Sequence, residues 1–171
     1  MSRLEDVGAV RVLATGEVAP AGVADDLDEK VDEAVSEQHW PDPTAAAKYV
    51  DGFGRHGDAG VVAAVAGQGV GAAWYRLLSA DDPGYGFVAA DIPEITLGVA
   101  SQARGRGIGT ALMQRLLDRA VADRIAALSL SVEPDNAAMR LYLALGFERV
   151  GGSGGSITLL RTLEPAGDRD A

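Results

Sequence analysis

The sequence predicts an α+β chain, a mixed sheet with helices on its faces. Two observations point there. Short runs rich in Val, Ile, Leu and Ala recur along the chain between Gly, Pro and Asp clusters, as strands separated by turns do. From Gly107 to Ile125 the apolar spacing changes: Ile108, Leu112, Leu116 and Ala120 share one side, while Gln114, Arg115 and Asp118 lie mostly on the other. That period marks an amphipathic helix. Strands both before and after this helix, with further strands at each end, require a mixed sheet covered by helices.

Taken in order, Ala9 to Leu13 reads as the first strand. Val23 to Val35 reads as a solvent-facing helix, its apolar residues set among many carboxylates. Pro41-Asp42-Pro43-Thr44 breaks the chain, and Asp42 or Thr44 is placed to cap a second helix through Ala45 to Val50, ended by Gly52 and Gly54. Three strands follow, at Gly60 to Ala66, Val70 to Leu78 and Ile92 to Val99, with Ala80 to Gly84 a turn by composition. After the long helix, Ala127 to Val132 alternates as a strand. Pro134-Asp135-Asn136 punctuates it, Ala137 to Leu145 forms a short helix closed by Gly146, and two last strands flank the glycines at 151 to 155. The order is β-α-α-β-β-β-α-β-α-β-β.

A chain of 171 residues with 47% hydrophobic content suits one globular domain. The expected organisation is a single domain over 1–171, with one half over about 1–91, a second half over about 92–163, and a flexible tail at 164–171. No apolar run approaches the roughly 20 residues that span a bilayer, and Met1 to Asp6 is too polar to begin a signal peptide. A cytoplasmic protein is expected. The absence of cysteine excludes disulfides, thiolate metal sites and an acyl-cysteine mechanism. The net charge of −10 is uneven, with 17 acidic against 6 basic residues over 1–98 and 8 against 9 over 99–171. Such a field disfavours nucleic acid and anionic membrane as partners and favours cationic ligands.

Between a strand ending at Val99 and the long helix lies Arg104-Gly105-Arg106-Gly107-Ile108-Gly109-Thr110. First-turn N–H groups have no partners within a helix and the dipole adds partial positive charge, so a glycine-rich helix start is an anion cradle. Arg104 and Arg106 add formal charge suited to two phosphates. Glycines needed only for a tight turn are the bland alternative, which the interleaved arginines disfavour. Rival phosphate motifs fail. No Gly-Lys-Ser/Thr occurs, and Gly67 to Ala72 is followed by the strand-like Trp74 to Leu77 rather than a helix, as a tight hairpin would be.

Arg104, Gly107 and Gly109 stand at the positions of the Gln/Arg-x-x-Gly-x-Gly/Ala signature, and Asn136 to Phe147 resembles the closing motif of the same family. On these residues, within Glu94 to Val150, the chain resembles the GNAT superfamily of acetyl-CoA-dependent N-acetyltransferases. The resemblance implies the GNAT-like acyl-CoA N-acyltransferase fold with a mostly antiparallel mixed sheet, and acetyl-CoA as co-substrate with no metal. It implies that Gly105 to Gly109, with Thr110, hold the coenzyme pyrophosphate and that the main chain of Leu97, Gly98 and Val99 pairs with the pantetheine arm. Pairing of that kind needs the sheet to open between the fourth and fifth strands, with Gly98 a reasonable bulge. Asn136 matches a position that bonds pantetheine, or it caps the following helix. Tyr142 matches the tyrosine that donates a proton to the departing thiolate, or it packs into the core beside Leu141 and Leu145.

By the same resemblance the reaction is direct transfer of acetyl to a primary amine in a ternary complex. The amine must first lose a proton. Glu94, Glu133, or a water relay without a dedicated residue are the candidate bases. The alternative is a module that binds or senses acyl-CoA without turnover. Acceptors left open include a small molecule, a peptide or a protein, and Asp25, Asp26, Asp28, Glu29, Asp32 and Glu33 favour a cationic one over their other reading as a solvated helix face. Oligomeric state stays open, a homodimer included. His39 and His56 are assigned no role. Gly151 to Gly155 matches the Gly-x-Ser-x-Gly elbow in form only, since a strand follows it and no histidine lies after Ser153.

Overall fold

The computed structural model describes residues 10–14, 48–49, 54–65 and 68–164, with the main chain alone at 10–14, 68 and 153. The acidic helix expected over 23–35, together with His39 and Trp40, lies outside the described residues. Of the helix expected at 45–50, Lys48 and Tyr49 are described and are helical.

Seven strands are present among the described residues: β1 (Val10–Ala14), β2 (Ala59–Val65), β3 (Gln68–Arg76), β4 (Glu94–Val99), β5 (Ala127–Val132), β6 (Glu148–Ser153) and β7 (Ser156–Thr162). A 3-10 turn at Ser101–Ala103 precedes helix α1 (Ile108–Ala122), and α2 (Ala138–Ala144) lies between β5 and β6. The first five strands and the short helix fall within two residues of their expected positions, while α1 ends three residues before Ile125 and β6 takes in Gly151 and Gly152, which it was expected only to flank. Mixed pairing, mostly antiparallel, makes this the α+β class expected.

The chain divides into two compact units, Met1–Trp74 with Leu97–Leu116, and Tyr75–Thr96 with Leu117–Ala171. In the first, β1 runs antiparallel to β2 from Val10↔Val65 to Ala14↔Val61, and the strand order continues through β3 to the end of β4. Ala100 N–H donates to the Val70 carbonyl at 2.8 Å, tying the chain leaving β4 to β3. Val61, Ala63, Ala73, Trp74, Leu112 and Met113 are buried. The Trp74 indole N–H donates to the Tyr49 carbonyl at 2.9 Å, the partner a buried indole requires.

In the second unit the order is the start of β4, then β5, β7 and β6. β5 pairs β7 antiparallel over its full length, Ala127↔Thr162 to Val132↔Ile157, and β6 pairs β7 with a register shift between Arg149 and Gly151. The strand expected after the Gly151 to Gly155 segment is β7, so no nucleophile elbow forms. Leu128, Leu130, Val132, Phe147 and Leu159 supply the core. The end of α1 is fixed by Asp123, whose Oδ2 accepts Arg119 Nε–H at 2.7 Å and the Tyr75 hydroxyl at 3.0 Å. Burial first, then the neighbouring carboxylate, pushes the Tyr75 phenol far up, so it stays a donor.

Candidate active site

The first unit carries the anion cradle, built almost entirely from main chain. Buried Ala103 anchors the turn after β4, and Arg104 is extended (φ −68°, ψ 156°). Gly105 and Gly107 have φ of +76° and +78°, the left-handed region in which side chains with a Cβ are strained. A Cβ built on either would meet nothing within 4 Å. The glycines are therefore required by backbone conformation, and the space above them is open. Ile108 and Leu112 root the helix, 3% and 0% exposed, while residues 104–107 are exposed.

Helix α1 begins when Ala111 N–H donates to the Gly107 carbonyl at 3.1 Å. From Gly105 to Thr110 no N–H has a main-chain partner among the described residues. These donors cluster at the positive end of a 15-residue helix with no acidic residue in its first turn, an arrangement suited to an anion with several oxygens. Arg104 does not reach outward with its whole guanidinium. Its Nε–H donates to the Val99 carbonyl at 3.1 Å, a bond that does not use the two terminal nitrogens. Arg106 and Thr110 are exposed beside the same donors.

The second unit holds the side chains with reactive chemistry. Glu94, at the first position of β4, is only 3% exposed, so it is not a solvated strand-edge carboxylate. Its Oε1 accepts the Gly86 N–H at 2.9 Å. Gly86 is seated so tightly on β5 that a Cβ there would stand 2.6 Å from the Leu130 carbonyl carbon and 2.7 Å from Ser131 N. Within this unit β4 joins β5 by one parallel register pair, Glu94↔Ser129, with Ser129 N–H donating to the Pro93 carbonyl at 3.0 Å.

Tyr142 is 8% exposed and edge-on to Phe147, ring centroids 6.1 Å apart. Burial pushes its phenol up to about 12, so it is a protonated donor throughout the neutral range. Its main-chain carbonyl accepts the Phe147 N–H at 3.1 Å, closing α2 beneath the ring. Asn136 is exposed, and its Oδ1 accepts the Ala138 N–H at 2.9 Å. That bond lies just ahead of α2, whose N-cap position, Ala137, carries no side-chain cap bond. Glu133 and His56 are exposed. Among the described residues no three His, Cys, Asp or Glu side chains form a group able to hold a metal, and no helix is long and apolar enough to cross a membrane.

Two participants escaped the sequence. Gly86 bears no motif, and its role follows from where the connection after β3 lands. Ser129 was legible only as half of the alternation Leu128-Ser129-Leu130-Ser131, which puts the serines on one strand face without saying what lies opposite.

A sequence model of the acetyltransferase (GNAT) family matches residues 25–147. Among curated proteins no sequence match is found. Solved structures are similar over nearly the whole chain. A ribosomal-protein-alanine N-acetyltransferase from Brucella melitensis is 25% identical, with a TM-score of 0.62 over 90% of this chain and 99% of its own. A GCN5-related N-acetyltransferase from Kribbella flavida is 24% identical, with a TM-score of 0.66 over 91% and 98%. A phosphinothricin acetyltransferase from Sinorhizobium meliloti, solved in complex with acetyl-CoA, is 22% identical, with a TM-score of 0.63 over 90% and 88%.

Proposed function

We propose, for a chain that belongs to the acetyltransferase (GNAT) family, that it transfers acetyl from acetyl-CoA to a primary amine by direct attack in a ternary complex. One observation carries the donor half: the run of N–H groups from Gly105 to Thr110 that no carbonyl of the described chain accepts. A pyrophosphate would take up these donors, with Arg104, Arg106 and Thr110 at its edges. The main chain of Leu97, Gly98 and Val99 would hold the pantetheine arm as an added strand would, and the Asn136 amide would donate to it while its Oδ1 remains on the helix.

The amine arrives protonated and must surrender a proton before its lone pair can attack the thioester carbonyl. Attack builds negative charge on the carbonyl oxygen, which oriented N–H groups stabilise. Collapse then breaks the carbon–sulfur bond, and the Tyr142 hydroxyl protonates the thiolate. Glu94 is the carboxylate proposed to receive the amine proton. At 3% exposure, and with one oxygen on Gly86 N–H, it is better placed to act through water than to touch the amine.

The acceptor is proposed to be a small molecule, peptide or protein amine, with cationic acceptors favoured by the charge of −10. Calorimetry with acetyl-CoA, followed by coenzyme A thiol release across a panel of amines, tests this reading. Binding accompanied by thiol release with at least one amine is expected. Failure to bind acetyl-CoA overturns it, and binding without release from any amine reduces the protein to an acyl-CoA-binding module.

A further inference from the structure

We infer that Ser129 is a positioning residue, holding a water molecule against the Glu94 carboxylate, and that the amine proton reaches Glu94 through that water. The inference rests on the acetyl-transfer reading above only for its second half.

Register places the two side chains together. Glu94 and Ser129 are Cα partners of adjacent strands, so both leave the sheet on the same face with Cβ atoms about 5 Å apart. Thr96, two residues along β4, shares that face and is buried as well. Polarity then demands an occupant. Ser129 is 0% exposed, its main-chain N–H is spent on the Pro93 carbonyl, and its hydroxyl oxygen finds no hydrogen-bond partner among the described residues. A wholly buried hydroxyl left in this condition is rare in folded proteins, and an internal water is the commonest remedy where other polar groups are within reach. Here the polar side chain paired with Ser129 across the two strands is the Glu94 carboxylate.

The main chain of Gly86 covers the same place. Its N–H lies on Glu94 Oε1, and its Cα rides so close to Leu130 and Ser131 that no side chain fits there. The 86 position therefore lies against Glu94 and β5 without bringing a side chain of its own. A water at that point accepts one proton from the substrate ammonium and passes another to Glu94. The amine gains its lone pair, the carboxylate becomes a carboxylic acid, and the water is regenerated.

Ser129→Ala and a high-resolution crystal structure of the wild-type protein test this. In the wild type, an ordered water within hydrogen-bond distance of Ser129 Oγ and a Glu94 oxygen is expected. With a bound water, Ser129→Ala leaves that water short of a partner, and Tm falls by about 2–4 °C. Kinetically, kcat falls roughly tenfold while KM for acetyl-CoA stays within twofold, a split that a general loosening of the fold would not produce. A dry site in the wild type, or a Tm that rises on removal of an orphaned hydroxyl, overturns the inference. Unchanged kcat in Ser129→Ala overturns its catalytic half. If the wild type releases no coenzyme A with any amine, the acetyl-transfer reading fails, while the density and the sign of the Tm shift still decide whether Ser129 holds water.

Discussion

The Arg104 to Thr110 loop and the Glu94 surroundings solve opposite problems. The loop is exposed and works through main-chain N–H groups, its side chains adding only charge. Glu94 is buried, and its environment is made of side chains and one covering main-chain segment. An exposed main-chain cradle binds any ligand with the right oxygens, whereas a buried carboxylate reacts according to a handful of atoms around it. On the proposed reading, affinity for the donor and rate of the reaction reside in different parts of the chain. Substitutions should therefore separate them.

The largest separation is expected at Tyr142. Tyr142→Phe should lower kcat about a hundredfold, the scale of a lost general acid, with acetyl-CoA affinity in calorimetry unchanged. An equal loss of affinity would break the comparison. The same residue makes a pH prediction. Its phenol titrates near 10.0 when unfolded and at about 12 when folded, so its contribution to stability is complete below pH 10 and lost as pH rises toward 12. Denaturant unfolding should show about 3 kcal/mol lost across that window, and Tyr142→Phe should remove this part of the slope.

Next in size is Gly107→Val, which forces a β-branched residue to φ near +78°. A strain of about 2 kcal/mol should appear as roughly thirtyfold weaker acetyl-CoA binding, with kcat at saturation little changed. A smaller effect is expected from Asn136→Ala. Loss of its bond to Ala138 N–H should cost about 1 kcal/mol of stability, measured by thermal unfolding. Arg106→Ala should be smallest, below about 1 kcal/mol in acetyl-CoA binding because the charge is exposed. The difference from wild type should shrink in high salt.

The same contrast explains what could be read in advance. The cradle was legible because its requirements are local: positive φ selects Gly105 and Gly107, and the period of Ile108, Leu112 and Leu116 fixes where the helix starts. The strands were legible for similar reasons. Glu94 was recognisable as a candidate, but its burial was not, because that depends on Gly86 coming to rest on Leu130 and Ser131, more than forty residues farther along the chain. Turn composition marked Ala80 to Gly84 without showing where the rest of the connection would go. Ser129 was hidden for the related reason that its partner belongs to a parallel strand, reached across the whole of α1. Asn136 carried two readings, and the geometry puts its Oδ1 on the Ala138 N–H just ahead of α2. The acidic residues Asp25 to Glu33 lie outside the described residues, so the preference for a cationic acceptor still rests on charge.

The bond from Gly86 N–H to Glu94 Oε1 also divides the connection between β3 and β4 into parts with different freedom to change in length. Residues 86–94 form a closed span whose two ends grip each other, so an insertion there would displace the carboxylate. Residues 77–85 lie ahead of that clasp. Extra residues at the Ser79 to Asp82 turn would add little closure entropy, about 0.6 kcal/mol per doubling of loop length, and would leave the clasp in register. In a lineage of such proteins, the first part is where variation in size can accumulate while the distance from Gly86 to Glu94 stays constant.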